Sequence, residues 1–373
     1  MPADDFLIFR PDDVDLSRSP LRAGWPAEEP TFVLGAFNPG LTRLPDGDLL
    51  LMVRVAEALR EPVRQGSVRL IRWSPQGWRL NAYPLSGVDL SDPRQFELRG
   101  AGPRRLGLTS LSWLLPVRLS PDGRTVREIM YDRAIAPSAS SQELGVEDAR
   151  ISRIDDRWWM TVCSVSPERL GTTLYSSDDA LDWRREGLVL DHLNKDMLLF
   201  QGRIGGACWA MTRPLGEVWF AYPPDAQWAG GPAIQFASSP DALHWKPAEA
   251  PGLRARKGSS AASKLGGGTP PVLTDAGWLT LYHGVEQRER VGVYRTFWAL
   301  LDREDPTTIL RQEETPVLEA DPELTAPIAH QMYLPTPVVF STGLVDGGDH
   351  WIVASGEADL ACRMTFIPKA RFA

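Results

Sequence analysis

Short apolar stretches separated by turn-forming residues recur along the whole chain, whereas patterns long enough for helices are scarce. In four places two apolar stretches flank a turn, which predicts a β-hairpin. These places are Thr31–Val55, Arg153–Val162, Leu273–Tyr282 and Val345–Val353. The pattern therefore predicts an all-β protein.

A second pattern repeats at a longer spacing. The stretch Tyr175–Trp183 closely matches Phe236–Trp245, and Leu70–Trp78 is a looser third copy. Trp183 and Trp245 lie 62 residues apart, which suits one four-stranded blade with its loops, whereas the strands of a β-sandwich show no such long period. We therefore predict a β-propeller in a single domain over residues 1–373, with about five or six blades at that spacing. The repeated tryptophans are interpreted as packing residues.

Composition and charge narrow the class of ligand. The chain contains 14 tryptophans, and indole rings, which lie flat against sugars, suit a carbohydrate site as well as a large β core. The net charge of −8 argues against a nucleic-acid partner, so a bound anion has to meet a local cluster of cations.

The sequence also predicts a compartment. No basic segment precedes an apolar run at the N-terminus, and no long uncharged apolar stretch occurs, so we expect no contact with a membrane. Cys163, Cys208 and Cys362 are far apart in sequence and are interpreted as buried thiols in a reducing environment. We expect a cytoplasmic protein.

The first candidate for chemistry is the stretch Gly145–Ile151, in which two adjacent carboxylates, Glu147 and Asp148, stand close to Arg150. Acidic pairs followed by arginine are often solvated loop charges. The pair is therefore weak evidence for a site by itself, and the cationic and aromatic residues elsewhere in the chain strengthen it. In a propeller, loops from every blade converge at one end of the central axis, and site residues are scattered along the sequence.

Five sequence blocks stand in order along the chain: Gly145–Ile151, Asn194–Phe200, Lys264–Pro271, Gly277–Val285 and Tyr294–Asp302. They resemble the signature blocks of glycoside hydrolase family 130, whose members are five-bladed β-propellers and mostly β-mannoside phosphorylases. The resemblance runs from about Asn38 to Asp359 and implies that Asp148 is the proton donor. Apart from the resemblance, we assign Glu147 to the orientation of its neighbours.

The same resemblance implies two sets of ligand-binding residues. The implied phosphate ligands are Arg213, Lys264, His283, Tyr294 and Lys195. The implied sugar contacts are Asn38, Arg54, Arg60 and Asp359.

The sequence departs from the family pattern at three positions. Ala149 stands where a proline usually follows the acidic pair, and Gln201 stands where proline is frequent. Lys195 replaces an arginine found in some members, which keeps the charge but loses the bidentate fork. The chain also lacks the long N-terminal extension of the enzymes that act on mannosyl-glucose, so the acceptor sugar stays open.

Reaction chemistry explains why one acid and several cations belong together. Inverting hydrolysis takes two carboxylates, an acid and a base that activates water. Phosphate is already an anion, so a phosphorylase needs one acid and a cradle of cations and hydroxyls. A hydrolase should offer a second acid among the implied phosphate positions, and none appears there. We therefore predict inverting, reversible phosphorolysis of a β-mannoside to α-mannose 1-phosphate, with inorganic phosphate as co-substrate.

Other readings of these residues stay open. A phosphate-independent β-mannosidase of the same family is the first alternative, and a non-catalytic sugar-binding propeller is the second. No cofactor and no metal are expected, because His-x-x-x-His and Cys-x-x-Cys are absent from the sequence. We interpret Gly266–Gly268 as a turn that lets the backbone approach a ligand, and not as a nucleotide loop. The linkage and oligomeric state are open, with a homo-oligomer among the possibilities.

Overall fold

The computed structural model describes residues 4–190, 192–216 and 218–372. Nearly all regular structure in these residues is β-strand, and α1 (Pro322–Thr325) is the one α-helix among them. This confirms the expected all-β class. The strands are β1 (Asp4–Phe9), β2 (Thr31–Arg43), β3 (Leu49–Leu59), β4 (Val63–Arg64), β5 (Ser67–Arg72), β6 (Arg79–Pro84), β7 (Val88–Asp92), β8 (Gln95–Leu98), β9 (Arg105–Leu108), β10 (Ser110–Leu119), β11 (Val126–Ile129), β12 (Gly145–Ile154), β13 (Arg157–Val165), β14 (Leu170–Ser177), β15 (Arg184–Leu188), β16 (Asn194–Leu199), β17 (Cys208–Pro214), β18 (Gln235–Ser239), β19 (Lys246–Pro247), β20 (Lys264–Gly267), β21 (Val272–Thr274), β22 (Gly277–Glu286), β23 (Val293–Leu301), β24 (Ile309–Gln312), β25 (Val339–Asp346), β26 (His350–Glu357) and β27 (Ala361–Pro368).

Short 3₁₀ turns occupy several of the connections. They lie at Pro11–Asp13, Leu16–Arg18, Pro20–Arg22, Leu85–Gly87, Tyr131–Arg133, Ser140–Gln142, Ala326–Gln331 and Lys369–Phe372. None of the helices in the described residues is long and apolar enough to cross a membrane.

Five antiparallel units of four strands follow one another along the chain. The first four are β2-β3-β10-β11, β12-β13-β14-β15, β16-β17-β18-β19 and β20-β22-β23-β24, with β21 also paired to β22. A single parallel bridge between Ser112 of β10 and Gly145 of β12 joins the first two units into one eight-stranded sheet. The fifth is β25-β26-β27-β1, in which the N-terminal strand pairs with the C-terminal one. The two ends of the chain are therefore joined in one unit.

Apolar side chains fill the space between successive units. Separate buried clusters join the first unit to the second, the second to the third, the third to the fourth, and the fourth to the fifth. A further cluster joins the fifth unit back to the first, with Leu51 and Val53 of β3 packed beside Ile352 and Met364. The five units thus pack in a closed cycle.

The hairpins and the longer repeat are explained by local turn chemistry. All four predicted hairpins form: β2–β3, β12–β13, β21–β22 and β25–β26. In the repeat, Asp179 and Asp241 each accept hydrogen bonds from two backbone amides of the turn before the fourth strand of their unit. The spacing of 62 residues therefore marks the same point in two neighbouring units. Trp183 and Trp245 pack against the clusters, as expected.

The third copy of the repeat, Leu70–Trp78, does not mark a unit. It falls on β5 and the turn before β6, within an excursion of residues 63–108 that leaves the first unit between β3 and β10. The excursion forms two three-stranded sheets, β4-β5-β6 and β7-β8-β9. The resemblance reflects turn chemistry, since Ser74 Oγ donates to the carbonyl of Gly77.

Candidate active site

One pocket of about 310 Å³ collects polar side chains from all five units. Four of its residues have left-handed backbone, with φ of 47° at Asn38, 53° at Asp148, 56° at Asp196 and 50° at Asp359. The first three lie in β-bulges of β2, β12 and β16, the first strand of each unit. A bulge re-aims one side chain out of the strand alternation, and non-glycine residues in this strained region cluster at functional sites.

Asp148 is buried and bound by donors. Its Oδ1 accepts hydrogen bonds from Asn38 Nδ2 at 3.0 Å and from Arg54 Nη1 at 2.9 Å. Burial alone would raise the pKa of Asp148, but the charges of Arg54, Arg150 and Lys195 outweigh it and hold the pKa well below its usual range. Without a ligand, Asp148 is therefore a carboxylate.

Glu147 links two cations in the same pocket. Its carboxylate accepts from Arg54 Nη2 at 2.9 Å and from Lys195 Nζ at 3.2 Å. Arg54 interrupts the apolar strand β3, and these carboxylates are the partners that a buried arginine requires. The geometry agrees with an orienting role for Glu147.

Four further residues form a cationic side of the pocket. Lys264 Nζ donates to the Tyr294 hydroxyl at 2.7 Å, and Arg213 Nη1 donates to His283 Nε2 at 3.3 Å. Burial, then the charges of Arg213 and Lys264, lower the pKa of His283 well below its ordinary value. His283 is therefore neutral. Because arginine can only donate, Nε2 is the acceptor and the ring proton lies on Nδ1.

Four buried polar atoms of the pocket have no hydrogen-bond partner within the described chain: Asn38 Oδ1, Asp196 Oδ2, Arg213 Nε and His283 Nδ1. Of these, Asp196 Oδ2 lies in an ion pair, 3.0 Å from Arg213 Nη2. An unsatisfied buried polar group costs about 1–3 kcal/mol, so these atoms are available for hydrogen bonds to a ligand. The free amide oxygen of Asn38 lies beside Asp148, where it can accept a hydrogen bond from a hydroxyl group. The two free donors lie on the cationic side, where they can bind anionic oxygens.

Asp196 lines the pocket but is not among the residues predicted from the sequence. Its Oδ2 lies 3.0 Å from Arg213 Nη2 and 3.6 Å from His283 Nε2, and its side chain is 4% exposed. It stands next to Lys195 in one of the five blocks, which is the signal that could have drawn attention to it. Its carboxylate fixes Arg213.

The glycine run has a different role from the one expected. Gly266 and Gly267 lie in strand β20 and not in a turn. A Cβ on Gly266 would lie 2.4 Å from Asp196 Oδ2 and 2.3 Å from His283 Cε1, so the glycine admits these two side chains. The carbonyls of Gly267 and Gly268 accept from Arg150.

The pocket brings together all but one of the residues implied by the resemblance. Its lining includes Asn38, Arg54, Asp148, Lys195, Arg213, Lys264, His283, Tyr294 and Asp359.

Arg60 lies elsewhere. It is exposed, and its guanidinium stands 5.8 Å from the centre of the Phe32 ring. It lines a neighbouring cleft that shares Leu34 and Tyr333 with the pocket. β3 ends at Leu59, one residue before it, so the chain has left the pocket at this point.

Two further features of the described residues are the possible metal ligands and the three cysteines. Within residues 4–190, 192–216 and 218–372, no group of three or more histidine, cysteine or acidic side chains has the arrangement of a metal site. Cys163, Cys208 and Cys362 are free and buried, as expected from their spacing.

The relation to known proteins follows from sequence and structure together. The profile of glycoside hydrolase family 130, described as β-1,4-mannooligosaccharide phosphorylase, matches residues 117–371. This chain belongs to glycoside hydrolase family 130. A β-1,2-mannobiose phosphorylase of Listeria innocua serovar 6a is 31% identical over 350 residues, 90% of this chain and 89% of the relative.

Two further comparisons agree. A 1,2-β-oligomannan phosphorylase of Thermoanaerobacter sp. is 31% identical over 245 residues, which cover 65% of this chain and 74% of that protein. The solved structure of the Listeria innocua β-1,2-mannobiose phosphorylase in complex with β-1,2-mannobiose superposes with a TM-score of 0.76 at 27% identity. It covers 99% of this family 130 chain and 98% of its own.

Proposed function

We propose that this protein is an inverting phosphorylase that converts a β-mannoside and inorganic phosphate to α-mannose 1-phosphate and the shortened acceptor sugar, reversibly. One observation carries the proposal. A single pocket holds the buried acid Asp148 with an unsatisfied acceptor beside it, and a cationic side with two unsatisfied donors on Arg213 and His283.

The proposed fold is a five-bladed β-propeller in one domain over residues 1–373. The closed cycle of apolar clusters and the pairing of β1 with β27 support it. The first strand of each unit would then line the central axis, which accounts for the convergence of Asn38, Asp148 and Asp196 from three different units.

In the proposed mechanism, Asn38, Arg54 and Asp359 bind the mannose hydroxyls, while Arg213, Lys264, His283, Tyr294 and Lys195 hold phosphate on the opposite face. A phosphate oxygen forms a bond to the anomeric carbon as the bond to the leaving oxygen breaks, and Asp148 gives that oxygen its proton. A single displacement inverts the configuration. The cations stabilise the anion without a base.

Asp196 bears on the hydrolase alternative, because the sequence offers no second acid among the implied phosphate ligands, whereas Asp196 lies beside two of them. Glu147 and Asp359 also line the pocket. A general base must be free to take a proton from water. The Asp196 carboxylate is instead paired with Arg213 at 3.0 Å and lies close to His283. This arrangement supports a phosphorylase, in which Asp196 fixes a phosphate ligand. A purely sugar-binding protein has no use for such a cationic side.

We further propose a β-1,2-linked mannobiose or short oligomannoside as the substrate. Two relatives that are 31% identical to this chain are named for β-1,2-linked substrates, whereas the description of the family profile names β-1,4-mannooligosaccharides. Because these descriptions name different linkages, the linkage needs a direct test.

The test is incubation with β-1,2-mannobiose and with β-1,4-mannobiose, each with and without phosphate, followed by product analysis. We expect mannose 1-phosphate from the β-1,2 substrate and negligible turnover without phosphate. Equal release of free mannose without phosphate would identify a hydrolase. Binding of the sugar without turnover under either condition would identify a carbohydrate-binding protein.

A further inference from the structure

Among the charged and amide side chains of the pocket, four have no role in the proposed mechanism. Arg94 and Gln95 come from the excursion, at the junction of β7 and β8, and Gln287 and Arg290 come from the loop between β22 and β23. Arg290 Nη2 pairs with Asp89 Oδ2 at 3.2 Å, which ties the excursion to that loop. These four residues, which we call the rim, have no assigned role.

The rim is shallower than the part of the proposed phosphate site formed by Arg213 and His283. The side chains of Arg94 and Arg290 are 30% and 56% exposed, whereas that of Arg213 is 7% exposed and that of His283 is 1% exposed. In phosphorolysis the leaving sugar has to depart while the phosphorylated mannose is still bound. A leaving sugar is therefore expected at the open side of the pocket, where the rim lies.

The charges of the rim arginines are already neutralised. Arg94 Nε and Nη2 donate to the two oxygens of Asp92 at 3.1 and 3.0 Å, which leaves Nη1 outside this fork. Lys264, by contrast, bonds to the Tyr294 hydroxyl and pairs with no carboxylate of the described residues. Arg213 of the phosphate set is also paired with a carboxylate, that of Asp196. The fork with Asp92 leaves Nη1 of Arg94 to bind a neutral hydroxyl group.

Arg94 lines the same pocket as Tyr294 of the phosphate set and Asp359 of the mannose set. Burial would lower the pKa of Arg94, but Asp92 first, and then Tyr294 and Asp359, raise it. A group at that position can contact a sugar joined to the bound mannose.

We propose that the rim is the binding site for the leaving sugar, a neutral hexose, and that Arg94 is its main hydrogen-bond donor. The inference rests on the proposed phosphorylase function and deepens it. The excursion of residues 63–108 then decides which acceptor the enzyme uses. The residues of the mannose and phosphate sets, which lie deeper in the pocket, bind mannose and phosphate.

The experiment measures the synthetic direction, with α-mannose 1-phosphate as donor and mannose as acceptor. Arg94→Ala should raise the KM for mannose about tenfold, the effect of losing one or two neutral hydrogen bonds. The KM for α-mannose 1-phosphate, and that for phosphate in the reverse direction, should stay within about twofold. Gln95→Ala, which leaves the Asp92 fork intact, should also act on mannose alone.

Arg104→Ala is the matched control. Arg104 lies in the same excursion and pairs with Glu97 at 2.8 Å, but its side chain is 58% exposed and it does not line the pocket. This variant should keep all three constants, and all variants should share the wild-type melting temperature.

Three outcomes would overturn the inference. A larger effect of Arg94→Ala on phosphate or α-mannose 1-phosphate would assign Arg94 to the deeper site. Unchanged constants for mannose in both Arg94→Ala and Gln95→Ala would remove the rim from acceptor binding while the phosphorylase function stands. Absence of phosphate-dependent turnover in the wild-type protein would overturn the proposed function and, with it, the inference.

Discussion

Arg54 holds two adjacent carboxylates at once, with Nη1 at 2.9 Å from Asp148 and Nη2 at 2.9 Å from Glu147. The arrangement stabilises the ionised form of Asp148, whose pKa lies well below its ordinary value despite burial. An acid catalyst has to carry a proton at the moment of reaction. Asp148 therefore has to gain that proton when substrates bind.

We predict that formation of the complex with phosphate and a mannoside takes up a proton near neutral pH. A bound dianion offsets the cations that lower the pKa of Asp148, and the pKa rises as a result. Calorimetry in buffers of different ionisation enthalpy measures the uptake. The Asp148→Asn variant, with an amide that cannot titrate, should lose it. Equal uptake in both proteins would place the proton on another group.

The same shift has a consequence for stability. The folded-state pKa of Asp148 is depressed below the value of about 3.9 for an unfolded chain. Its ionised form therefore stabilises the fold above that pH, and the stabilisation is lost as the pH falls through the folded-state value. Folding lowers the pKa of Asp148, whereas ligand binding raises it, because the bound dianion offsets the cations that lower it.

Loss of a cradle cation should weaken phosphate binding selectively. Lys264→Ala and Arg213→Ala are each expected to raise the KM for phosphate at least tenfold more than the KM for the mannoside, because a charge-assisted contact contributes roughly 1.5–3 kcal/mol. Lys246, exposed on β19, supplies the control Lys246→Ala, with no change expected. Equal effects on the two substrates would mean that these side chains hold the sugar or the fold.

Asp196→Asn separates a positioning role from a catalytic one. The amide keeps the shape but removes the ion pair with Arg213. We expect a higher KM for phosphate, with a smaller change in kcat, because Asp196 acts through Arg213. A general base for hydrolysis would behave differently: phosphate-independent release of mannose would disappear while phosphorolysis continued. Steady-state kinetics with and without phosphate distinguish the two.

Arg60→Ala tests the one implied sugar contact that lies outside the pocket. The exposed position of Arg60 beside Phe32 predicts a KM for mannobiose within about twofold of wild type, since surface substitutions away from a site have small effects. A tenfold rise would return Arg60 to the mannose site and imply a rearrangement of the chain after β3.

The elements that could be predicted are those with local signals. Turn residues mark the hairpins, and the carboxylates of Asp179 and Asp241 build the same turn in two units, so strand, turn and repeat were all visible in the sequence. Asp148, Lys264 and His283 were found through sequence blocks that resemble a family. Their meeting in one pocket depends on bulges and on the cycle of units.

The features that the sequence does not predict depend on contacts between distant segments. Gly266 is constrained by Asp196 and His283 of other strands, and no local sequence pattern shows this requirement. The prediction that Gly266 lies in a turn is therefore wrong. Asp196 beside Lys195 has the pattern of a solvated ion pair. Arg94 stands in an irregular excursion whose position over the pocket depends on tertiary packing alone.

The stereochemistry of the product tests the central claim most directly. In the proposed mechanism, Asp148 protonates the leaving oxygen on one face of the mannose. Phosphate is bound on the opposite face by Arg213, Lys264, His283 and Tyr294, so one displacement inverts the anomeric centre. Proton NMR of the early mixture of β-mannoside, phosphate and enzyme should show α-mannose 1-phosphate, and Asp148→Asn should lower its rate by about 10²–10⁴-fold or more. A β-configured mannose 1-phosphate as the first product would contradict the account, because it requires a nucleophilic carboxylate and a covalent intermediate.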